Sequence, residues 1–209
     1  MEKETKSVRA AVYISVIPSI SEIDSVFPPE RDAEIKKTKN ERLKREKYYV
    51  WRLLEYALTD ALGIDIKAAK IKKNPNGRWC SQVCDFSLSH TDGAVAAAVS
   101  DSPIGVDIEA VREPRSSRFA HRILTETEKT EYSVLGKGEQ TEYLIKRWTE
   151  KEAIFKLKNE EKFLPARTES DFDMSVMTDK FLFQDKEYIF SVAHQSDTVR
   201  IFTDVKLVE

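Results

Sequence analysis

The chain has 209 residues, 41% of them hydrophobic, enough for one large domain or two small ones with an ordinary core. Charged residues make up 33%, but the two signs nearly balance and the formal net charge is −2, so the basic excess of a general nucleic-acid binder is missing. No run of about 18 apolar residues occurs, which argues against a membrane-spanning helix, and the first residues, MEKETKSVRA, lack the apolar centre of a signal peptide.

In chain order, residues 8–17, VRAAVYISVI, predict a strand from their β-branched and aromatic content, stopped by Pro18. Residues 19–29 read as a loop ending in a double proline. From 30 to 62 the pattern is helical. Its first part, ERDAEIKKTKNERLKREK, is charged; its second, YYVWRLLEYALTDAL, is rich in aromatics and leucine; Gly63 is the stop. The charged run reads either as a solvated helix face or as a surface for a polyanionic ligand, and composition does not choose between them. Lys73-Asn74-Pro75-Asn76-Gly77-Arg78 predicts a turn. Residues 83–90, VCDFSLSH, predict a strand, Thr91-Asp92-Gly93 a tight turn, and residues 94–100, AVAAAVS, a deeply buried strand of small residues.

After Asp101-Ser102-Pro103 comes Ile104-Gly105-Val106-Asp107-Ile108-Glu109, whose alternation predicts a short buried strand. Side chains two apart on a strand share a face, so Asp107 and Glu109 point the same way with Cα atoms about 6.6 Å apart. Such a pair repels unless something positive stands between, and a hard divalent cation held through oxygen is the simplest choice. The plainer alternative is an edge strand with a solvated acidic face. Next, RFAHRI and TETEKTEYSVL predict short helices, with Thr125 and Glu128 as a capping box. Residues 139–159 predict a second long helix. The tail from 171 to 208 is strand-like in four pieces, DFDMSVM, KFLFQ, EYIFSVAH and TVRIFTDVKLV, with Gln195-Ser196-Asp197 as a hairpin turn.

On the second long helix, Leu144, Ile145, Trp148 and Phe155 fall in one apolar arc of about 100°, and Glu152 falls inside it. A carboxylate among such neighbours is desolvated and needs a cationic partner, either Lys156 one turn on or a metal already held by Asp107 and Glu109. The plainer alternative is a surface Glu–Lys pair. Cys80 and Cys84 have three residues between them, no second ligand pair is evident, and the histidines stand apart at 90, 121 and 194, so both thiols read as reduced and free of metal. Each half of the chain runs strand, helix, strands, which predicts two α/β lobes meeting at a cleft.

Gly105-Val106-Asp107-Ile108-Glu109, followed by Trp148-Thr149-Glu150-Lys151-Glu152-Ala153 and then Lys156, closely resembles the signature pair of the 4′-phosphopantetheinyl transferases. Phe86-Ser87-Leu88-Ser89-His90-Thr91 matches a third, weaker block of that family. The resemblance extends over roughly residues 30–195, with length and pattern similar to the long, surfactin-synthetase-activating type. It implies an α/β (α+β) fold made of a pseudo-twofold pair of similar lobes, residues 1–103 and 104–209. Each lobe is a long helix packed on a small, mainly antiparallel sheet, and the coenzyme A cleft lies between them.

The implied activity is that of a holo-[acyl-carrier-protein] synthase type enzyme. It transfers the phosphopantetheine arm of coenzyme A to a serine of an apo acyl or peptidyl carrier protein and releases adenosine 3′,5′-bisphosphate. The resemblance implies Mg²⁺ held by Asp107, Glu109 and Glu152, with Glu152 as general base, directly or through a metal-bound water, and Asp107 and Lys156 completing the catalytic set. It implies coenzyme A contacts from Ser89, His90, Thr91 and Lys156, and from Gly77 and Arg78, which stand where the family often shows Gly-Lys-Pro. A basic residue of the first helix, by pattern Lys47, is the expected partner of the 3′-phosphate, with Lys37 and Lys39 as weaker candidates. Arg112 to Arg122, REPRSSRFAHR, is the expected face for an acidic carrier helix. A cytoplasmic, monomeric pseudo-dimer without nucleic-acid or membrane partners completes the expectation. Two alternatives share these carboxylates: a non-catalytic coenzyme A or nucleotide-binding module on the same fold, and a metal-dependent phosphohydrolase.

Overall fold

A computed structural model describes residues 9–18, 27–75, 77–114 and 118–207. Strand β1 (Arg9–Val16) explains the first apolar run, because both of its faces are buried. Ala11 and Tyr13 face a core beneath helix α2 (Glu41–Leu62), with Trp51, Leu54 and Leu58; Ala10, Val12 and Ile14 face the opposite way. Strand β5 (Ala94–Ser100) divides likewise, Val95, Ala97 and Val99 towards α2 and three alanines towards the second half. These strands belong to a sheet of order β4-β5-β1-β9, where β4 is Asp85–Thr91 and β9 is Thr198–Phe202.

The second sheet has the order β6-β8-β7, from β6 (Ile104–Ala110), β7 (Ser175–Phe183) and β8 (Lys186–His194), all antiparallel. Its inner face, with Ile104, Val106, Ile108, Phe190 and Val192, meets the alanines of the first sheet. Its outer face is covered by the long helix α5 (Lys137–Lys158) through Ala153, Ile154 and Leu157. The molecule is therefore layered as helix, sheet, sheet, helix. Each half has a long helix packed on a mainly antiparallel sheet, as expected, and the alanine face lets the two sheets approach closely. Smaller elements complete the chain: α1 (Pro29–Lys37), the two-residue strands β2 (Lys72–Lys73) and β3 (Trp79–Cys80), α3 (Arg118–Ile123) and α4 (Glu126–Ser133).

Three expectations need correction. The helix predicted over 30–62 is two helices. Thr38 is extended and Asn40 caps α2 by accepting from Leu43 N at 3.0 Å, so an N-cap residue inside the charged run starts a new helix. DFDMSVM and KFLFQ are not separate strands: residues 175–183 form the single strand β7, which turns through Gln184 (φ 52°) and Asp185 into β8. Gln195-Ser196-Asp197 is not a hairpin turn. It carries the chain out of the second sheet to the open edge of β1, where β9 pairs in parallel and Phe202 stacks on Tyr13 at 4.8 Å between ring centroids. The first sheet therefore contains a strand from near the carboxy terminus. Gly63 does end α2, in the left-handed conformation expected of it (φ 65°). Val8, most of the loop at 19–29, Asn76 and residues 115–117 lie outside the described residues.

Candidate active site along strand β6

Strand β6 is fixed from two sides. One edge pairs with β8. Along its other edge, alternate backbone N–H groups donate to side chains of β4: Ile104 to Asp85 Oδ2 (2.9 Å), Val106 to Ser87 Oγ (3.0 Å), Ile108 to Ser89 Oγ (3.3 Å) and Ala110 to Thr91 Oγ1 (3.3 Å). The polar residues at every second position of β4 thus satisfy a strand edge that would otherwise be buried and unpaired. Against α5, a Cβ at Gly105 would drive into the Ala153 carbonyl and stand 2.7 Å from Leu157 N, so only glycine lets β6 lie this close to the helix.

That approach brings the acidic strand to Glu152 and Lys156. Asp107 is 5% exposed. Its Oδ1 accepts from Ser89 Oγ at 2.6 Å and from Lys156 Nζ at 2.7 Å, while its Oδ2 is buried without a hydrogen-bond partner. Lys156 also donates to the Val106 carbonyl at 3.0 Å, so its ammonium is anchored on β6. Glu109 accepts from Thr91 Oγ1 at 2.9 Å, and burial, reinforced by Asp107, holds its carboxyl above the usual range. The Glu152 carboxyl is pushed up to about 7 by burial; Lys156 opposes this, and the negative charges of Asp107 and Glu109 add to it. Phe163, from the segment after α5, packs on both Trp148 and Phe155, with centroids at 5.4 and 4.9 Å, and so spans the stretch of helix that carries Glu152.

Two cavities flank this cluster. One, of about 410 Å³, is lined by Gly77, Arg78, Trp79, Ser87, Phe155 and Lys156 among others; the Arg78 guanidinium donates to the Lys156 carbonyl. The other, of about 530 Å³, lies between Arg42, Glu109, Arg112, Phe119, Ile145 and Trp148. Of the residues expected at a site, Gly77, Arg78 and Lys156 line the first cavity and Glu109 the second, while Asp107 is tied to Lys156 and Glu152 feels the charges of Asp107, Glu109 and Lys156. Ser89 and Thr91 are buried and committed to the carboxylates and to β6. His90, on the opposite face of β4, turns to α2, where its Nδ1 lies 3.1 Å from Glu46 Oε2. Lys47 stands apart: its Nζ donates to Thr38 Oγ1 at 3.1 Å, and it lines neither cavity.

Sequence reasoning missed three residues. Gly105 had a signal in its position before Val-Asp-Ile-Glu. Lys151, at 4% exposure, donates to Glu128 Oε2 (2.7 Å) and to the Ile123 carbonyl (3.0 Å), tying α5 to α4. Glu46 had no signal, being one acid in a long charged run.

Residues 103–203 match the sequence profile of the 4′-phosphopantetheinyl transferase superfamily. The second half of the chain thus carries the profile of this superfamily. It is 35% identical over 80 residues to the 4′-phosphopantetheinyl transferase Sfp of Bacillus subtilis, covering 38% of this chain and 35% of that protein. It is 35% identical over 72 residues to the 4′-phosphopantetheinyl transferase psf-1 of Bacillus pumilus, covering 34% and 30%. The matched stretch thus spans about a third of each relative's length.

Magnesium is the metal this superfamily generally uses. The donor chemistry suits it: three carboxylates, one with an orphaned buried oxygen and two held above the usual range chiefly by burial. Among the described residues, however, no group of three or more His, Cys, Asp or Glu side chains is arranged so as to hold a metal ion. Among those residues, too, no helix is long and apolar enough to cross a membrane.

Proposed function

We propose that this chain transfers the 4′-phosphopantetheine arm of coenzyme A to a serine hydroxyl of an apo acyl or peptidyl carrier protein, releasing adenosine 3′,5′-bisphosphate. The observation that carries this reading is the cluster itself. Glu152 is held near neutrality beside Asp107 and Glu109, with Lys156 bridging the two elements and a cavity on either side.

In this reaction the serine oxygen forms a bond to the phosphorus that bears the pantetheine arm. The bond from that phosphorus to the bisphosphate breaks, and the serine proton must leave. Glu152 takes that proton, directly or through a water; in the metal-free protein burial raises its basicity above that of an ordinary carboxylate. Lys156 stabilises the charge that develops on the departing bisphosphate, and its anchor on the Val106 carbonyl keeps the ammonium in place. Asp107, Glu109 and Glu152 are the residues that would hold Mg²⁺. When bound, Mg²⁺ supplies neutralisation of the pyrophosphate charge. Ser89 and Thr91 orient Asp107 and Glu109. Arg78 and Gly77, at the mouth of the 410 Å³ cavity, receive the nucleotide end, and His90 meets a phosphate. The 3′-phosphate partner expected at Lys47 requires that side chain to leave Thr38.

The 530 Å³ cavity opens between the two halves beside Arg112, and the α3 arginines, Arg118 and Arg122, continue a basic face suited to an acidic carrier helix. Division of labour at position 103/104, a monomeric state and a cytoplasmic setting, where coenzyme A and free thiols such as Cys80 and Cys84 belong, complete the proposal.

The test is incubation with magnesium, coenzyme A and a panel of apo carriers. A mass gain of one phosphopantetheine arm on a carrier is expected. Phosphate release from coenzyme A without carrier would indicate a phosphohydrolase, and binding without either reaction a nucleotide-binding module. Reversal of Arg118 or Arg122 to Glu is expected to raise KM for the carrier and leave KM for coenzyme A unchanged; equal effects on both would remove that face from the proposal.

A further inference from the structure

Helix α2 carries a buried acid that the reaction above does not use. The Glu46 side chain is 5% exposed, against 33% for the imidazole of His90 that it meets. Its Oε2 lies 3.1 Å from His90 Nδ1. Its other oxygen is buried, without a hydrogen-bond partner, and 3.6 Å from Arg42 Nε. Arg42 reaches on to Asp92 Oδ1 at 3.4 Å, and Lys186 Nζ stands 3.2 Å from Asp92 Oδ2. The imidazole is thus tied to α2, and Arg42 links the same carboxylate to the turn that follows β4. A carboxylate placed this deep is costly unless a specific partner offsets its lost hydration.

We propose that Glu46 is a positioning residue for His90: it accepts the Nδ1 proton and so leaves Nε2 as the nitrogen presented to a phosphate group of coenzyme A. This rests on the functional reading above. Imidazole has two nitrogens with opposite roles in its neutral form, and a fixed acceptor on one of them decides what the other can do. With Glu46 on Nδ1, the ring bridges carboxylate and phosphate when both nitrogens carry protons. Without it, the ring can rotate and present either nitrogen. The strand pattern makes the arrangement necessary. His90 lies on the α2 side of β4, while Ser89 and Thr91 lie on the β6 side, so the acidic cluster cannot orient it.

The experiment has two arms. In the first, nitrogen NMR of ¹⁵N-histidine-labelled, substrate-free protein reads which His90 nitrogen is protonated. Nδ1 protonated in the wild type, and lost from Nδ1 in Glu46→Ala, is expected; an unprotonated Nδ1 in the wild type overturns the proposal. This arm needs no activity, so it stands apart from the functional reading, which fails instead if wild-type protein neither binds nor uses coenzyme A. In the second arm, Glu46→Ala and His90→Ala are each expected to raise KM for coenzyme A about tenfold, the scale of one charge-assisted hydrogen bond. The double variant should be no worse than His90→Ala alone, and KM for the carrier should not move. Glu46→Gln keeps an acceptor oxygen and should restore most of the affinity, which also covers the case in which Glu46→Ala fails to fold. Multiplying effects in the double variant, or an unchanged KM in Glu46→Ala, overturn the proposal.

Discussion

Lys156 Nζ lies 2.7 Å from Asp107 Oδ1, across the junction of α5 and β6, on a carboxylate whose second oxygen is buried without a hydrogen-bond partner. In the metal-free protein this ammonium is the cation hydrogen-bonded to Asp107. Removing it leaves a buried acid paired only with a serine hydroxyl. Lys156→Ala is therefore expected to lose about 1–3 kcal/mol in urea unfolding without magnesium, and to recover part of it when magnesium is added. Equal stability with and without the lysine would show that Asp107 is solvated after all.

Glu152 behaves in the opposite sense. Its carboxyl is held up at about 7, above its ordinary value, so the protonated form suits the fold and ionisation opposes it. The stability associated with the protonated group is fully present below the unfolded value and is lost as pH rises through about 7. Metal-free protein should thus weaken between pH 5 and pH 8 by at most about 3 kcal/mol, and Glu152→Gln should flatten that slope while abolishing transfer. Denaturation midpoints at the two pH values decide it. A slope that survives the substitution would assign it to other groups.

Gly105→Ala is a sharper structural test. A methyl group there meets the Ala153 carbonyl and Leu157 N, both helix backbone that cannot step aside. The substitution is expected to cost more than about 3 kcal/mol or to prevent folding, a size reserved for such clashes. Circular dichroism and a thermal scan suffice, and a wild-type midpoint would refute the packing of β6 on α5.

Ser89→Ala removes a hydroxyl that donates to Asp107 Oδ1 and accepts from Ile108 N. Two buried groups lose a partner, so about 1–3 kcal/mol of stability should go. Because Ser89 acts through Asp107, transfer should slow with KM for coenzyme A little changed. A large rise in KM with unchanged turnover would instead mean that Ser89 touches the substrate.

Much of this was readable in one dimension. The alternation in 104–109 sets Asp107 and Glu109 on one face in any strand. The periodicity of α5 brings Glu152 among apolar neighbours in any helix, and the capping box at Thr125 and Glu128 forms as its spacing requires. Local spacing fixes such features because each depends only on neighbours a few residues away. The break at Asn40 was readable too, from a capping residue within the charged run, but the run's uniform charge masked it.

Other features depend on partners far along the chain, and only the tertiary structure decides them. The β9 strand pairs with β1 because the edge of β1 is open, not because of the turn before it. Lys156 donates to Asp107, on a strand far away in sequence, because Gly105 lets β6 lie against α5. Ser89 and Thr91 look like ligand-binding hydroxyls in sequence, yet their first duty is to a strand edge that β8 leaves unpaired. Glu46 finds His90 across the face of a sheet. Sequence alone determines which residue types share a strand face or a helix arc; which of those faces meet, and how closely, is set by burial of both sheets between two helices and by the one position where a glycine lets backbone touch backbone.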